Sequence, residues 1–209
     1  MLAGLRGQVP VPPVLGADEG TLTLGFVPGV PGQELIDSGH AKGVLRSCGE
    51  VLRRIHATAT DVLRSEAGDD AEAGNDAGTG DDAGTGDDAG AGDVLVHGDF
   101  GPHNTLFEPR TFQVTAVVDW EFAHLGDPVE DLAWCEWIVR MHHPEHADAL
   151  GHFFGAYGGT VPTWSARHAS MLAKCASYRE FCQRWDPSGP GVRQWEERTE
   201  ITRAWQAQP

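Results

Sequence analysis

Residues 94–121 constrain the fold more than any other stretch. They begin Val94-Leu95-Val96-His97-Gly98-Asp99-Phe100-Gly101-Pro102-His103-Asn104, and fifteen residues after Asn104 comes Asp119, within Val117-Val118-Asp119-Trp120-Glu121. Val94 to Val96, Thr105 to Phe107 and Val114 to Val118 are short apolar runs that predict strands. Asp99 and Asn104 then lie on the loop leaving the first strand, and Asp119 follows the last. Such a chain has to build a small strand platform that presents two carboxylates and an amide together.

That donor set suits phosphoryl transfer. The transferred group passes through a loose, highly charged transition state, so positioning and electrostatic stabilisation supply most of the catalysis. Asp99 is placed to orient an acceptor hydroxyl and take its proton. Asn104 and Asp119 offer hard oxygen ligands, which suit Mg2+ because it binds through one or two protein oxygens and keeps water and phosphate for the rest. No Cys or His is needed, which argues against zinc.

The pattern HGDxxxxN, then VVDWE, then Gly126-Asp127-Pro128-Val129-Glu130-Asp131-Leu132-Ala133 closely resembles the aminoglycoside phosphotransferase family of small-molecule kinases. The resemblance implies an α+β, protein-kinase-like fold with a mostly helical C-terminal lobe and a small strand platform. It implies Asp99 as catalytic base, Asn104 and Asp119 as magnesium ligands, and ATP as the phosphoryl donor. It extends to Leu22–Gly32, which looks like the strand and linker joining two lobes; in the family that linker holds adenine through backbone groups, here near Phe26 and Val27. Gly49-Glu50-Val51-Leu52-Arg53-Arg54-Ile55-His56-Ala57 reads like the family helix before the catalytic loop. The acceptor implied is a small-molecule hydroxyl, on an aminoglycoside or related antibiotic.

The departure from the pattern lies upstream. A kinase of this kind places a Gly-rich turn, a strand Lys and a helix Glu ahead of the linker. The residues before Leu22 contain none of these, and the chain's two lysines, Lys42 and Lys174, both follow the linker in segments that read as helical. Leu5 to Leu15, with Val9-Pro10-Val11-Pro12-Pro13, looks like the extended segment that follows the family's N-lobe helix. The expectation is an N-terminal lobe largely truncated, residues 1–36 forming its remnant and the linker, and residues 37–65 forming a C-lobe helix. The catalytic loop, metal strand and C-terminal helices then occupy 94–209.

Composition accounts for the segment between. Of 31 acids, nine fall in residues 69–93, which hold no Lys or Arg, so the remainder carries 22 acids against 15 bases and a charge near -7. The segment repeats Ala-Gly-Thr-Gly-Asp-Asp at 77–82 and 83–88, without an aromatic or large aliphatic side chain. It has too little apolar surface to offset the entropy of ordering it, which predicts a disordered insertion over 66–93. A calcium-binding repeat is a poor match, because the six-residue period and the missing apolar position do not fit the nine-residue calcium repeat. An acidic balance favours a polycationic acceptor weakly, since much of it lies in the repeat.

Other features read as structural. A hydrophobic share of 40% suffices for a core. The four cysteines show no CxxC spacing, and Cys48, Cys135 and Cys175 sit among apolar residues, as buried reduced thiols do. Neither a signal segment nor a bilayer-spanning run is visible, so a cytoplasmic protein with no membrane or nucleic-acid partner is expected. Val44, Leu45, Cys48, Val51, Leu52 and Ile55 mark one core-facing helix; Met171, Leu172, Cys175, Tyr178, Phe181, Cys182 and Trp185 mark another. Pro128, Pro144 and Pro162 are expected at helix starts. His97 is expected to brace its loop, Asp127 to cap a helix, and Asp131 to accept loop backbone hydrogen bonds. Two alternatives stand beside the kinase reading. One is a kinase-like protein without catalysis, the other a metal-dependent hydrolase using His97, Asp99, His103 and Asp119.

Overall fold

The computed structural model describes residues 2–18, 20–59 and 93–207. All of the acidic repeat except Asp93, and residues 60–65 of the expected C-lobe helix, lie outside the described residues. The fold is α+β. A helical turn, α1 (Leu2–Leu5), leads through an extended Pro-rich stretch into the hairpin β1 (Val14–Asp18) and β2 (Thr21–Leu24). The stretch that resembled an N-lobe remnant is thus tied down at both ends. Val117 N donates to Pro10 O at 2.7 Å, and Gly25 N donates to Pro13 O at 2.7 Å.

After β3 (Val30–Pro31) and the turn α2 (Gly32–Leu35) comes α3 (Ala41–His56). Its six expected apolar positions, Val44 to Ile55, are all buried, because the 3.6-residue period puts them on one face. Gly49 on the same helix lets α5 (Leu150–Tyr157) come close: a Cβ there would run into the Phe153 carbonyl. The chain spends a glycine inside a helix, at about 1 kcal/mol of helix propensity, to make this contact.

Five short strands position the loops. β4 (Val94–Val96) pairs antiparallel with β7 (His124–Gly126), while β5 (Thr105–Phe107) lies between β3 and β6 (Val114–Val117), antiparallel to both. The loop between β4 and β5 and the loop between β6 and β7 therefore span the same two ladders. Their ends are pinned as pairs, which forces them side by side.

The helix α4 (Val129–His142) closes this platform. Every residue from Asp131 to Val139 is buried, as expected of a helix apolar on all sides. Leu132, Cys135 and Val139 join the core built on α3 and the strands, whereas Ala133, Trp134, Trp137 and Ile138 join a second cluster with Met171 and Cys175. Met171 and Cys175 belong to α6 (Trp164–Trp185), which packs against α7 (Pro190–Ala204). Buried Glu136 ties α4 to α6 by accepting from Arg167 Nε at 2.6 Å, and within α4 it accepts from Arg140 Nε at 2.8 Å.

The α6 stripe departs from expectation along its last turns. Met171 and Cys175 are buried, but Phe181 is 49% and Trp185 79% exposed. α4 has 14 residues and α6 has 22, or about 21 Å against 33 Å at 1.5 Å per residue. Arg167 meets the C-terminal half of α4, and the Tyr178 ring lies 5.5 Å from that of Trp134, so the turns beyond Tyr178 outrun the start of α4. Pro162 precedes α6 by two residues, and its cap is Thr163, whose side chain accepts from Ala166 N at 3.3 Å. All four cysteines are free, with Cys48, Cys135 and Cys175 buried. Burial pushes the Cys48 thiol up to about 12, despite its hydrogen bond with Thr105.

Candidate active site

The loop from His97 to Asn104 is held from below by Asp131. This fully buried carboxylate accepts from His97 N at 2.8 Å through Oδ2 and from Gly98 N at 2.9 Å through Oδ1, and His56 Nε2 meets Oδ2 at 3.1 Å. His56 in turn engages the Tyr157 hydroxyl at 2.9 Å. The expectation that Asp131 accepts loop backbone hydrogen bonds is met in full. Asp127 caps α4, accepting from Val129 N at 2.8 Å, while Glu130 reaches back to Asp127 N at 3.3 Å in a reciprocal capping arrangement.

His97 ties the two loops together. Asp99 N donates to its Nδ1 at 3.2 Å, so its Nε2–H donates to the Val118 carbonyl at 2.9 Å. Burial holds the ring pKa below its ordinary value, against Asp131, the Val118 bond, Asp99 and Asp119, and this favours the neutral tautomer that the two bonds require. With both ring nitrogens engaged, His97 is not available as a metal ligand. Gly98 sits at φ +82, and a Cβ there would collide with the Phe122 carbonyl and lie 2.8 Å from the Phe122 Cβ.

Asp99 is enclosed by donors. Trp134 Nε1 donates to Oδ1 at 2.6 Å, while Asn104 Nδ2 and His103 Nε2 meet Oδ2 at 2.9 and 3.3 Å. Burial alone would push the carboxyl pKa up. The bond and charge of His103 and the bonds from Trp134 and Asn104 outweigh it and hold the group below the usual carboxylate range. Asn104 also donates from Nδ2 to the Asp99 carbonyl at 3.0 Å. Its amide oxygen is thereby left as a free acceptor.

Strand pairing brings Asp119 to the same place. Thr105 pairs with Val117, and Val118 N donates to the Asn104 carbonyl at 2.9 Å, so Asp119 stands one residue past the contact with Asn104. Asp119 is exposed and has φ 65, one of two non-glycine residues with positive φ among the described residues. A non-glycine residue in this region stores strain of order 1–3 kcal/mol, often where function demands the geometry. The Trp120 indole, bonded to the Val117 carbonyl at 2.9 Å and packed 4.6 Å from the His97 ring, holds the turn.

Asp119 and Glu121 line a cavity of about 560 Å³ whose other wall is the β1–β2 hairpin, with Val14, Ala17, Leu22 and Leu24. The cavity is mostly apolar with carboxylates at one side. Phe26 and Val27 lie just past β2 and are not among its lining residues; Phe26 is 90% exposed. Among the described residues no group of three His, Cys, Asp or Glu side chains is arranged to hold a metal ion. An Asn–Asp oxygen pair is the donor set present, and it fits Mg2+, which keeps most of its shell for water and phosphate.

Residues 87–169 match the model of the phosphotransferase enzyme family. The resemblance is to that family. Short stretches also match mouse acyl-CoA dehydrogenase family member 10, 52% identical over 39 residues, and human acyl-CoA dehydrogenase family member 11, 49% identical over 38 residues. These stretches cover 19% and 18% of this chain, but only 4% and 5% of those relatives. Among solved structures, aminoglycoside phosphotransferase APH(4)-Ia aligns with a TM-score of 0.63 at 17% identity, over 97% of this chain and 79% of that one. Aminoglycoside-3'-phosphotransferase of type VIII aligns at 0.59 and 20% identity, over 83% and 77%. A choline/ethanolamine kinase family protein from Mesorhizobium loti aligns at 0.61 and 14% identity, over 97% and 75%. The shared fold is that of the kinase-like phosphotransferases. Among the described residues no helix is long and apolar enough to cross a membrane.

Sequence reasoning singled out Asp99, Asn104, Asp119, His97 and Asp131, and the structure gathers all five around two adjoining loops. It gave Trp134 no role, read Tyr178 only as part of a core-facing stripe, and considered Lys174 only to exclude it as the phosphate-binding strand lysine. A buried Trp on an otherwise apolar helix carries no local mark of its partner. Lys174 had one signal: it interrupts the apolar stripe of α6.

Proposed function

We propose that the protein transfers the γ-phosphoryl group of Mg-ATP to a hydroxyl of a small molecule, with Asp99 as the base. The observation that carries this reading is the Asp99 carboxylate, held ionised by three side-chain donors, beside Asn104 and next to a strained Asp119 that faces an apolar cavity. Asp99 accepts the acceptor's hydroxyl proton as that oxygen forms its bond to the γ-phosphorus. The bond from the γ-phosphorus to the β,γ-bridging oxygen breaks, and ADP leaves with the electron pair. Asn104 through its amide oxygen and Asp119 through its carboxylate would hold Mg2+, which when bound neutralises charge on the nucleotide phosphates. The nucleotide base would sit on the hairpin side of the cavity, and the linker backbone near Phe26 and Val27, which follows β2 outside the cavity lining, is the adenine contact this reading expects. In this reading residues 1–36 serve as roof and linker and residues 94–209 carry the chemistry.

Solved relatives support a nucleotide and a small-molecule acceptor. APH(4)-Ia variants have been crystallised with ADP or AMP-PNP and hygromycin B, and aminoglycoside 2'-phosphotransferase-IIIa with GDP. Aminoglycosides are the acceptor class of those relatives. Calorimetric titration of Mg-ATP and Mg-GTP tests the reading, with Asp119→Asn as control. Binding that the substitution abolishes supports it, and its absence for both nucleotides overturns it. Where binding is found, Asp99→Asn is expected to lower transfer by about 10²–10⁴-fold, the usual worth of a positioned general base, with nucleotide affinity retained. A second reading, a binder without catalysis, is favoured by the position of both lysines after the linker. It predicts nucleotide-independent ligand binding and no turnover.

A further inference from the structure

α6 brings a cation to the edge of the Asp99 loop. Lys174 Nζ lies 5.4, 5.9 and 5.2 Å from the ring centroids of Phe122, Trp134 and Tyr178. Trp134 is the residue whose indole N–H holds Asp99. A pocket of about 270 Å³ opens between this lysine, Gly98 and Trp134, and Ser170 and Ser177 also line it. Positions 170, 174 and 177 follow the i, i+4, i+7 spacing of one helix face, so the ammonium and both hydroxyls share the pocket wall.

Three rings around a point form the kind of box that attracts a cation through their faces, and here the chain's own ammonium fills it. A cationic acceptor would meet like charge. Among the described residues no carboxylate pairs with Lys174 Nζ. Glu130, which also lines the pocket, is committed on both oxygens, to Asp127 N at 3.3 Å and His124 Nε2 at 3.1 Å. Burial lowers the lysine's pKa against the pull of Asp99, Asp131 and Glu130, a cost that an incoming anion would relieve.

We propose that this pocket holds an anionic group of the acceptor, a carboxylate or a phosphate, on Lys174, with the acceptor's hydroxyl directed to Asp99. The proposal rests on the phosphotransferase reading and names its substrate class. An acceptor anion beside a nucleotide's phosphates and Asp99 needs a compensating cation, and Lys174 supplies it. Ser170 and Ser177 add neutral donors, and the face of Trp134 gives the acceptor's carbon frame an apolar floor.

The test is calorimetric titration of glycerate, glycerol 3-phosphate, choline and kanamycin into the 209-residue chain, with and without saturating Mg-ADP. At least one of the two anions is expected to bind, with affinity reduced about tenfold or more in Lys174→Met, as loss of a charge-assisted contact implies. The choice between glycerate and glycerol 3-phosphate distinguishes carboxylate from phosphate. Neither cation is expected to bind the unaltered chain. Lys174→Gln repeats the neutralisation should the methionine variant fail to fold. Binding of neither anion, anion binding unchanged in both variants, or preferred binding of choline or kanamycin overturns the proposal. Loss of the phosphotransferase reading shows separately, as absent Mg-nucleotide binding.

Discussion

The indole N–H of Trp134 donates to Asp99 Oδ1 at 2.6 Å across 35 residues of sequence. With Asn104 and His103 on Oδ2, each carboxylate oxygen keeps a donor while lone pairs remain for an acceptor hydroxyl. Trp134 thus positions Asp99 and helps to keep it ionised, in competition with the burial that would protonate it. Trp134→Phe keeps the ring and removes the donor. Transfer is expected to fall about 10–100-fold, in line with about 1.5–3 kcal/mol for a hydrogen bond to a charged group. Because the donor holds the carboxyl pKa down, its loss raises that pKa, and the acid limb of kcat/KM moves to higher pH. An unshifted limb would show that Trp134 acts by packing alone.

Asp131 carries the loop that Asp99 stands on. Asp131→Ala strands the buried N–H groups of His97 and Gly98 together with the His56 ring. Each orphaned donor costs about 1–3 kcal/mol. A fall in urea midpoint corresponding to several kcal/mol is expected. Asp131→Asn, which keeps one acceptor oxygen, should lose less.

Acid weakens the fold through His97. Its folded pKa lies below the ordinary value because the ring is buried, so below about pH 6.5 the unfolded chain takes up a proton that the folded one refuses. The stability contributed is fully present above about pH 6.5 and declines as pH falls toward the lower folded pKa. Melting temperature followed from pH 7.5 to 5 should drop, and the slope should be shallower in His97→Gln. Equal slopes would place the sensitivity elsewhere.

Gly98 is required by both conformation and space. At φ +82, with the Phe122 carbonyl against the missing Cβ, Gly98→Ala costs about 1–2 kcal/mol in backbone conformation alone and pushes the two loops apart. Transfer should fall more steeply than stability, since Asp99 is the next residue. A variant with intact turnover would show that the loops tolerate separation.

Local patterns carried much of this fold. Thr105 to Phe107 and Val94 to Val96 read as strands and are strands, because apolar runs bounded by glycine and polar turns have few other uses. The α3 stripe buried as its period required. Asp127 and Asp131 declared themselves through position, one before a helix's first turn and one within it. What failed to show locally depended on how far one element extends past another. Phe181 and Trp185 carry the same period as Met171 and Cys175, yet α6 outruns α4 and leaves them exposed.

The residues of the proposed site, Asp99, Asn104 and Asp119, were legible in the sequence, since a strand, a tight loop and a second strand leave such residues few places to go. Their conversion into one site belonged to the tertiary structure. Two pairs of strands pin both loops, Asp131 receives the loop's backbone donors, and Trp134 reaches Asp99 from a helix that sequence marks only as apolar. Lys174 shows the same division. Its charge is written in the chain, but its place in an aromatic box beside Asp99 exists only because α4 and α6 pack together, and such contacts between distant residues have no local period to betray them.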